Sequence, residues 1–224
     1  MFIGHYAVGL AGKRWAPSAP LWALLLAVQL PDLLWPTLVL LGVERFRIVP
    51  GTTVVTPLDF VSYPYSHSLL FDLLWAVALA VVWWLLRRDR RAALVLGLGV
   101  LSHWVLDVVS HRPDMPVLPS GPWVGLELWR SLGATLVVEG ALFAVGLALY
   151  LKSTRALDRF GRLGPALLVG LLLAAYLGAL FGPPPPDVET VAWAGQASWI
   201  AVALAWGIDR HRSTADAVRS AERT

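Results

Sequence analysis

Apolar residues fall into six blocks along the chain, at about 20–42, 68–86, 92–109, 132–151, 164–182 and 191–208. Each block comes close to the roughly 20 residues that an α-helix needs to cross a bilayer. The polar connections between them alternate in charge. Arg87-Arg88-Asp89-Arg90-Arg91 follows the second block, Lys152, Arg155, Arg159 and Arg162 separate the fourth from the fifth, and Arg210, Arg212, Arg219 and Arg223 follow the sixth. The segments 43–67 and 110–131, and Pro183-Pro184-Pro185-Pro186-Asp187, hold few basic residues. The positive-inside rule therefore places Lys13, Arg14 and the C-terminus in the cytoplasm and the two long loops outside. Met1–Gly12 is apolar but too short to span, which predicts a half-depth helix. The pattern predicts an all-α polytopic membrane helix bundle, with about six transmembrane helices plus a short N-terminal half-helix. One domain over 1–209 precedes a disordered basic cytoplasmic tail over 210–224. Pro31 and Pro36 bracket Asp32 and are expected to kink the first span, freeing carbonyls near the carboxylate.

Composition narrows the class. Of the 224 residues 57% are hydrophobic and 15% charged, whereas a soluble domain carries about a quarter charged residues. The net charge of +3 is carried by Arg and Lys beside the apolar blocks, so membrane topology accounts for it and no nucleic-acid partner is predicted. With no cysteine, disulfides, thiolate ligands and a cysteine nucleophile are excluded. The run after Lys13-Arg14 has no small-residue cleavage site and does not read as a cleavable signal. Tryptophans near block ends, such as Trp22, Trp75, Trp123 and Trp129, suit the interfacial aromatic belt.

Within this apolar background the polar residues are selective. His103, Asp107 and His111 lie four apart and share one stripe of a helix. Asp32 sits inside the first block, and Ser66-His67-Ser68 opens the second. Ionisable groups at bilayer depth are costly and mark function by default, and imidazole with carboxylate is a ligand set for zinc and its neighbours. A rise of 1.5 Å per residue puts His103 and Asp32 about 18 Å, Glu139 about 20 Å, Asp72 about 22 Å and Asp107 about 24 Å from the cytoplasmic Arg/Lys markers. His67 and His5 fall in or beside that layer. His103 and His111 are about 12 Å apart along the axis, so Asp107 either bridges two ions or serves one ion that His111 supports. His5, Asp32 and His67 complete the metal shell from neighbouring helices. Glu139 is expected to be a further ligand or the general base, with Asp107 as its catalytic companion. Plainer roles are open to others. Asp72 has Arg130 or a neighbouring span as a candidate partner, His211 belongs to the surface, and Asp114 caps a turn or reaches a metal. A hydrogen bond to the His67 imidazole suits Ser66 and Ser68 better than a nucleophile's role does.

Gly4-His5, Leu30-Pro31-Asp32, Tyr65-Ser66-His67-Ser68-Leu69 and Leu101-Ser102-His103-Trp104-Val105-Leu106-Asp107 together resemble the bacterial membrane-bound metal-dependent hydrolases. That group is similar in motif to zinc-dependent phospholipase C and the zinc single-strand nucleases. The resemblance covers about the first 115 residues. It implies a hydrolase of the bacterial inner membrane that cleaves a phosphoester, such as a lipid head group or another membrane-accessible small molecule. One or two divalent ions, zinc foremost, would activate water. The soluble enzymes close a three-metal site with a second His-x3-Glu/Asp, where this chain has Thr135-x3-Glu139. The alternative is a transporter or a metal- or proton-handling protein built from the same cluster. Against it, no inverted repeat is visible and the polar residues bunch toward one side.

Overall fold

The computed structural model describes residues 1–214. Six segments are long and apolar enough to cross a membrane: α2 (Leu21–Leu40), α4 (Leu69–Arg87), α5 (Arg90–Ser110), α6 (Leu132–Ser153), α7 (Arg159–Phe181), and the pair α8 (Val188–Gln196) and α9 (Ser198–Asp209). They match the six hydrophobic blocks. Short polar residues start most of them. Ser68, Asp89, Ser131, Asp158 and Asp187 each accept a hydrogen bond from the backbone N–H three residues on, satisfying a donor that the first turn leaves orphaned. Arg88, in the left-handed region at φ 55°, ends α4 and reverses the chain directly into α5.

The short N-terminal helix α1 (Ile3–Trp15) is the hub of the bundle. It is buried on nearly every side, with Ile3, His5, Tyr6, Ala7, Leu10 and Lys13 all inside, and it packs against α2, α5 and α6. Where α1 meets α6, a Cβ added at Gly146 would lie 2.3 Å from the Ala7 carbonyl oxygen. Only glycine permits that approach. One apolar core joins α1, α2, α6, α7 and α9 around Leu10, Leu25, Phe143 and Tyr176. A second joins α2, α4 and α5 around Leu24, Leu96 and Val100. The Lys13 ammonium stays inside by donating to the Ala19 carbonyl at 2.7 Å, with Asp209 3.7 Å away.

The long loops carry structure that the hydrophobic blocks did not reveal. β1 (Arg45–Ile48) pairs antiparallel with β2 (Leu58–Ser62), and β3 (Met115–Pro116) with β4 (Trp123–Val124). Between β2 and α4 lies one turn of helix, α3 (Pro64–His67). These pieces gather Phe46, Tyr63 and Met115 over Trp35 as a third apolar cluster capping one end of the bundle.

Two expectations change in detail. The last span is interrupted at Ala197, whose N–H bonds back to Ala194 at 3.0 Å. There Gly195 sits against the Pro36 ring and Gln196 donates to Thr37 Oγ1 at 2.9 Å. The tail expected to be disordered from residue 210 is ordered at its start. β6 (Arg212–Thr214) pairs with β5 (Thr154–Ala156), because the Arg212 guanidinium reaches Thr154 Oγ1 at 2.8 Å and the Gly161 carbonyl at 2.6 Å. The rest of that tail, 215–224, lies outside the described residues.

Candidate metal centre

Three helical segments bring four side chains to one point. α2 contributes Asp32, α3 His67, and α5 both His103 and Asp107. One atom of each faces a common centre. His103 Nε2 lies 3.2 Å from Asp107 Oδ2 and 3.7 Å from Asp32 Oδ1. His67 Nε2 lies 3.4 Å from the same Asp32 oxygen and 3.8 Å from the same Asp107 oxygen. A tetrahedral ion with bonds of about 2.0–2.1 Å holds its ligand atoms about 3.3–3.4 Å apart. The four spacings bracket that value, and Asp32, His67 and His103 each offer a ligand atom within 4.8 Å of the other two, with Asp107 Oδ2 against both imidazoles.

The surroundings aim these atoms. The His103 Nδ1 proton goes to the Val28 carbonyl at 2.8 Å, since a carbonyl can only accept. Nε2 is thereby the ring nitrogen left to face the two carboxylates, and it is buried without a hydrogen-bond partner among the described residues. That carbonyl sits one turn before Pro31 in α2, where the missing proline N–H loosens the ladder. Asp107 divides its two oxygens. Oδ2 faces the two imidazoles, while Oδ1 accepts from His5 Nε2 at 3.0 Å and from the Met1 nitrogen, which also reaches Ser110 Oγ at 2.9 Å. His5 stacks on His103 with ring centroids 3.7 Å apart. His5, His103 and Asp107 thus form a second, overlapping group at metal-ligand spacing. Both groups include His103, whose Nδ1 is taken by the Val28 carbonyl, so one ring nitrogen would have to serve both. The hydrogen-bonding distance from His5 to Asp107 makes His5 the residue that orients this carboxylate.

Accessibility is uneven. The side chains of His103, Asp107 and His67 are 0%, 4% and 5% exposed, against 35% for Asp32. Asp32 therefore marks the open corner of the centre. Ser66 Oγ sits 2.7 Å from His67 Nδ1, the expected imidazole contact, whereas Ser68 caps α4.

Other expected site residues are placed elsewhere. His111 follows the last residue of α5, 3.1 Å from Asp114 Oδ1 and against the Trp129 ring, and among the described residues it joins neither ligand group. One further helical turn takes it too far along the axis. Glu139 is buried and level with the cluster, yet its Oε2 accepts from the N–H groups of Phe2 at 2.8 Å and Gly4 at 3.2 Å. That oxygen serves the N-terminus of α1, while Oε1 is buried without a hydrogen-bond partner among the described residues. Asp72 does not pair with Arg130, which bonds Glu127 at 2.7 Å. Both Asp72 oxygens are buried without a hydrogen-bond partner among the described residues.

At the capped end, Arg112 pairs with Asp59 and Asp114, and Arg47 reaches Asp59 at 2.6 Å. This ties β1 and β2 to the end of α5. Asp59 is held below the usual carboxylate range, because hydrogen bonds from Arg47 and Arg112 outweigh the desolvation that would raise it. Burial pushes the Tyr63 phenol well above its ordinary value, and its hydroxyl donates to the Asp114 carbonyl at 2.9 Å.

The family model described as YdjM inner membrane protein matches residues 1–183, a stretch that contains every residue of the centre. The chain belongs to the YdjM inner membrane protein family. No curated protein and no solved structure matches it. The YdjM description together with six apolar helices makes this a multi-pass inner-membrane protein. The family description names a location and no reaction, so the chemistry has to be argued from the cluster itself.

Sequence reasoning passed over Glu44, whose carboxylate is buried against Ser66. No spacing rule singles out an isolated acid at the edge of a loop. It also passed over the Val28 carbonyl, for which the only signal was the nearby Pro31.

Proposed function

We propose that this YdjM-family protein is a membrane-embedded, metal-dependent hydrolase acting on a phosphoester, with a lipid head group as the favoured substrate. The observation that carries the reading is the set of four donor atoms, 3.2–3.8 Å apart along the measured edges. Structural zinc sites are usually closed by four protein ligands, while catalytic ones keep a position for water or substrate. His67, His103 and Asp107 form a buried set of three, and Asp32 lies at the accessible corner where a water or substrate oxygen can take its place. A divalent ion, zinc before others for two imidazoles and carboxylates, would supply Lewis-acid polarisation and activate a water. The chain's own part is to fix the two Nε2 lone pairs, to hold Asp107 through His5, and to admit substrate past Asp32. With both termini in the cytoplasm, as the Arg/Lys distribution favours, the capped end faces outward and the centre meets head groups of the outer leaflet.

The test uses purified protein in vesicles of defined phospholipids with added zinc. Release of phosphate or phosphorylated head group, abolished by chelator and reduced at least tenfold by Asp32→Asn, is the expected result. Zinc crossing the vesicle membrane without chemical product would replace the hydrolase reading with transport.

A further inference from the structure

Behind His67 lies a buried chain of polar groups that the proposed chemistry does not yet use. Glu44, just before β1, is 1% exposed. Its Oε1 accepts from the backbone N–H groups of Tyr65 at 2.8 Å and Ser66 at 2.9 Å, and its Oε2 accepts from Ser66 Oγ at 2.6 Å. Ser66, itself fully buried, lies 2.7 Å from His67 Nδ1. An ionised carboxylate only accepts, and a serine has one proton to give. That proton goes to Glu44, so Ser66 Oγ accepts the His67 Nδ1 proton, and in the neutral ring the lone pair is on Nε2.

We propose that Glu44 is a positioning residue that acts through Ser66 to fix His67 as the Nδ1–H tautomer, turning its Nε2 lone pair toward Asp32 and Asp107. The assignment of a metal role to that lone pair rests on the function proposed above; the assignment of the tautomer does not. For His103 a backbone carbonyl does the same work. His67 differs in having a full negative charge at the end of its chain, and such a partner raises the basicity of an imidazole ligand as well as orienting it.

Glu44→Gln makes the prediction sharp. The two backbone N–H groups at Oε1 require an acceptor, so the amide oxygen occupies that place and the NH2 faces Ser66. The hydroxyl proton then turns toward His67 Nδ1, and the imidazole proton moves to Nε2, closing the lone pair. Ser66→Ala removes the same connection while leaving the backbone bonds of Glu44 intact, and serves if the Gln variant does not fold.

The experiment records 15N shifts of the histidines in metal-free full-length protein, with the His67 signals assigned by their loss in His67→Asn. Zinc affinity at constant pH is measured by competition with a chelating dye. The wild type should show His67 as Nδ1–H. Glu44→Gln should invert it and weaken zinc binding by about 10- to 100-fold. Ser66→Ala should weaken zinc binding within the same range. A wild-type His67 that is Nε2–H or doubly protonated, or a tautomer unmoved in Glu44→Gln, overturns the proposal. Inversion of the tautomer in a protein that binds no zinc in either form supports the Glu44–Ser66 connection and defeats the metal reading alone.

Discussion

Replacing Glu139 separates two roles that the sequence could not distinguish. Its Oε2 accepts two N–H groups at the start of α1, from Phe2 at 2.8 Å and Gly4 at 3.2 Å. Glu139 itself is fully buried. Ala at this position leaves two backbone donors without an acceptor, and a buried unpaired donor costs about 1–3 kcal/mol. Loss of a negative charge from a helix N-terminus adds about 0.3–1 kcal/mol. Glu139→Ala should therefore destabilise the bundle by about 2–7 kcal/mol, a large share of a typical domain's net stability. Glu139→Gln keeps an oxygen for both donors and loses mainly the charge, so it should cost only about 1 kcal/mol. SDS-titrated unfolding in mixed micelles, followed by tryptophan fluorescence, measures both. A Glu139→Ala protein within about 1 kcal/mol of wild type, well under the cost of two orphaned donors, would refute the capping argument. A Glu139→Gln protein that is stable, binds metal and has lost all turnover would return Glu139 to the chemistry as its base.

Two further outcomes follow from packing and charge. Gly146→Val should lower the thermal midpoint of unfolding sharply, since its Cβ would lie 2.3 Å from the Ala7 carbonyl oxygen and backbone cannot swing aside. Gly140→Ala, with nothing within 4 Å of the added Cβ, should leave the midpoint unchanged or raise it; equal losses in the two variants would show that close approach of α1 and α6 is not what Gly146 provides. Ser120→Cys is the only thiol in an otherwise cysteine-free chain and should react with an impermeant reagent from the extracytoplasmic side, whereas labelling only from the cytoplasm would invert the topology.

The six spans were legible because each is a long apolar block bounded by charge, and membrane insertion leaves few other solutions for such blocks. The centre was legible in part for the same reason. Asp32, His103 and Asp107 stand out against leucine and valine, and His67 lies at the head of the next such block. The i,i+4 spacing of His103 and Asp107 survives directly as a 3.2 Å contact. The same spacing carries His111 to a different set of neighbours, because the helix ends there and the ring lies against Asp114 and Trp129. Depth alone could not separate Glu139 from the ligands; residues at one level still face different neighbours, and Glu139 faces the start of α1. The β1–β2 hairpin was readable in principle from the alternation Arg45-Phe46-Arg47-Ile48, whose Phe46 is buried between exposed arginines. The contacts of Glu44 with Ser66 cross 22 positions of chain and have no local signature.

The central claim is that Asp32, His67, His103 and Asp107 hold one divalent ion. The most direct measurement is the metal content per chain of purified protein after zinc loading and removal of free metal, compared across wild type, His103→Ala, Asp107→Asn and His111→Ala. About one equivalent is expected in wild type, since both candidate ligand groups include His103. It should be lost from His103→Ala and Asp107→Asn while both remain folded, and kept in His111→Ala. Wild type without bound metal, or zinc retained by His103→Ala and lost from His111→Ala, would contradict the account.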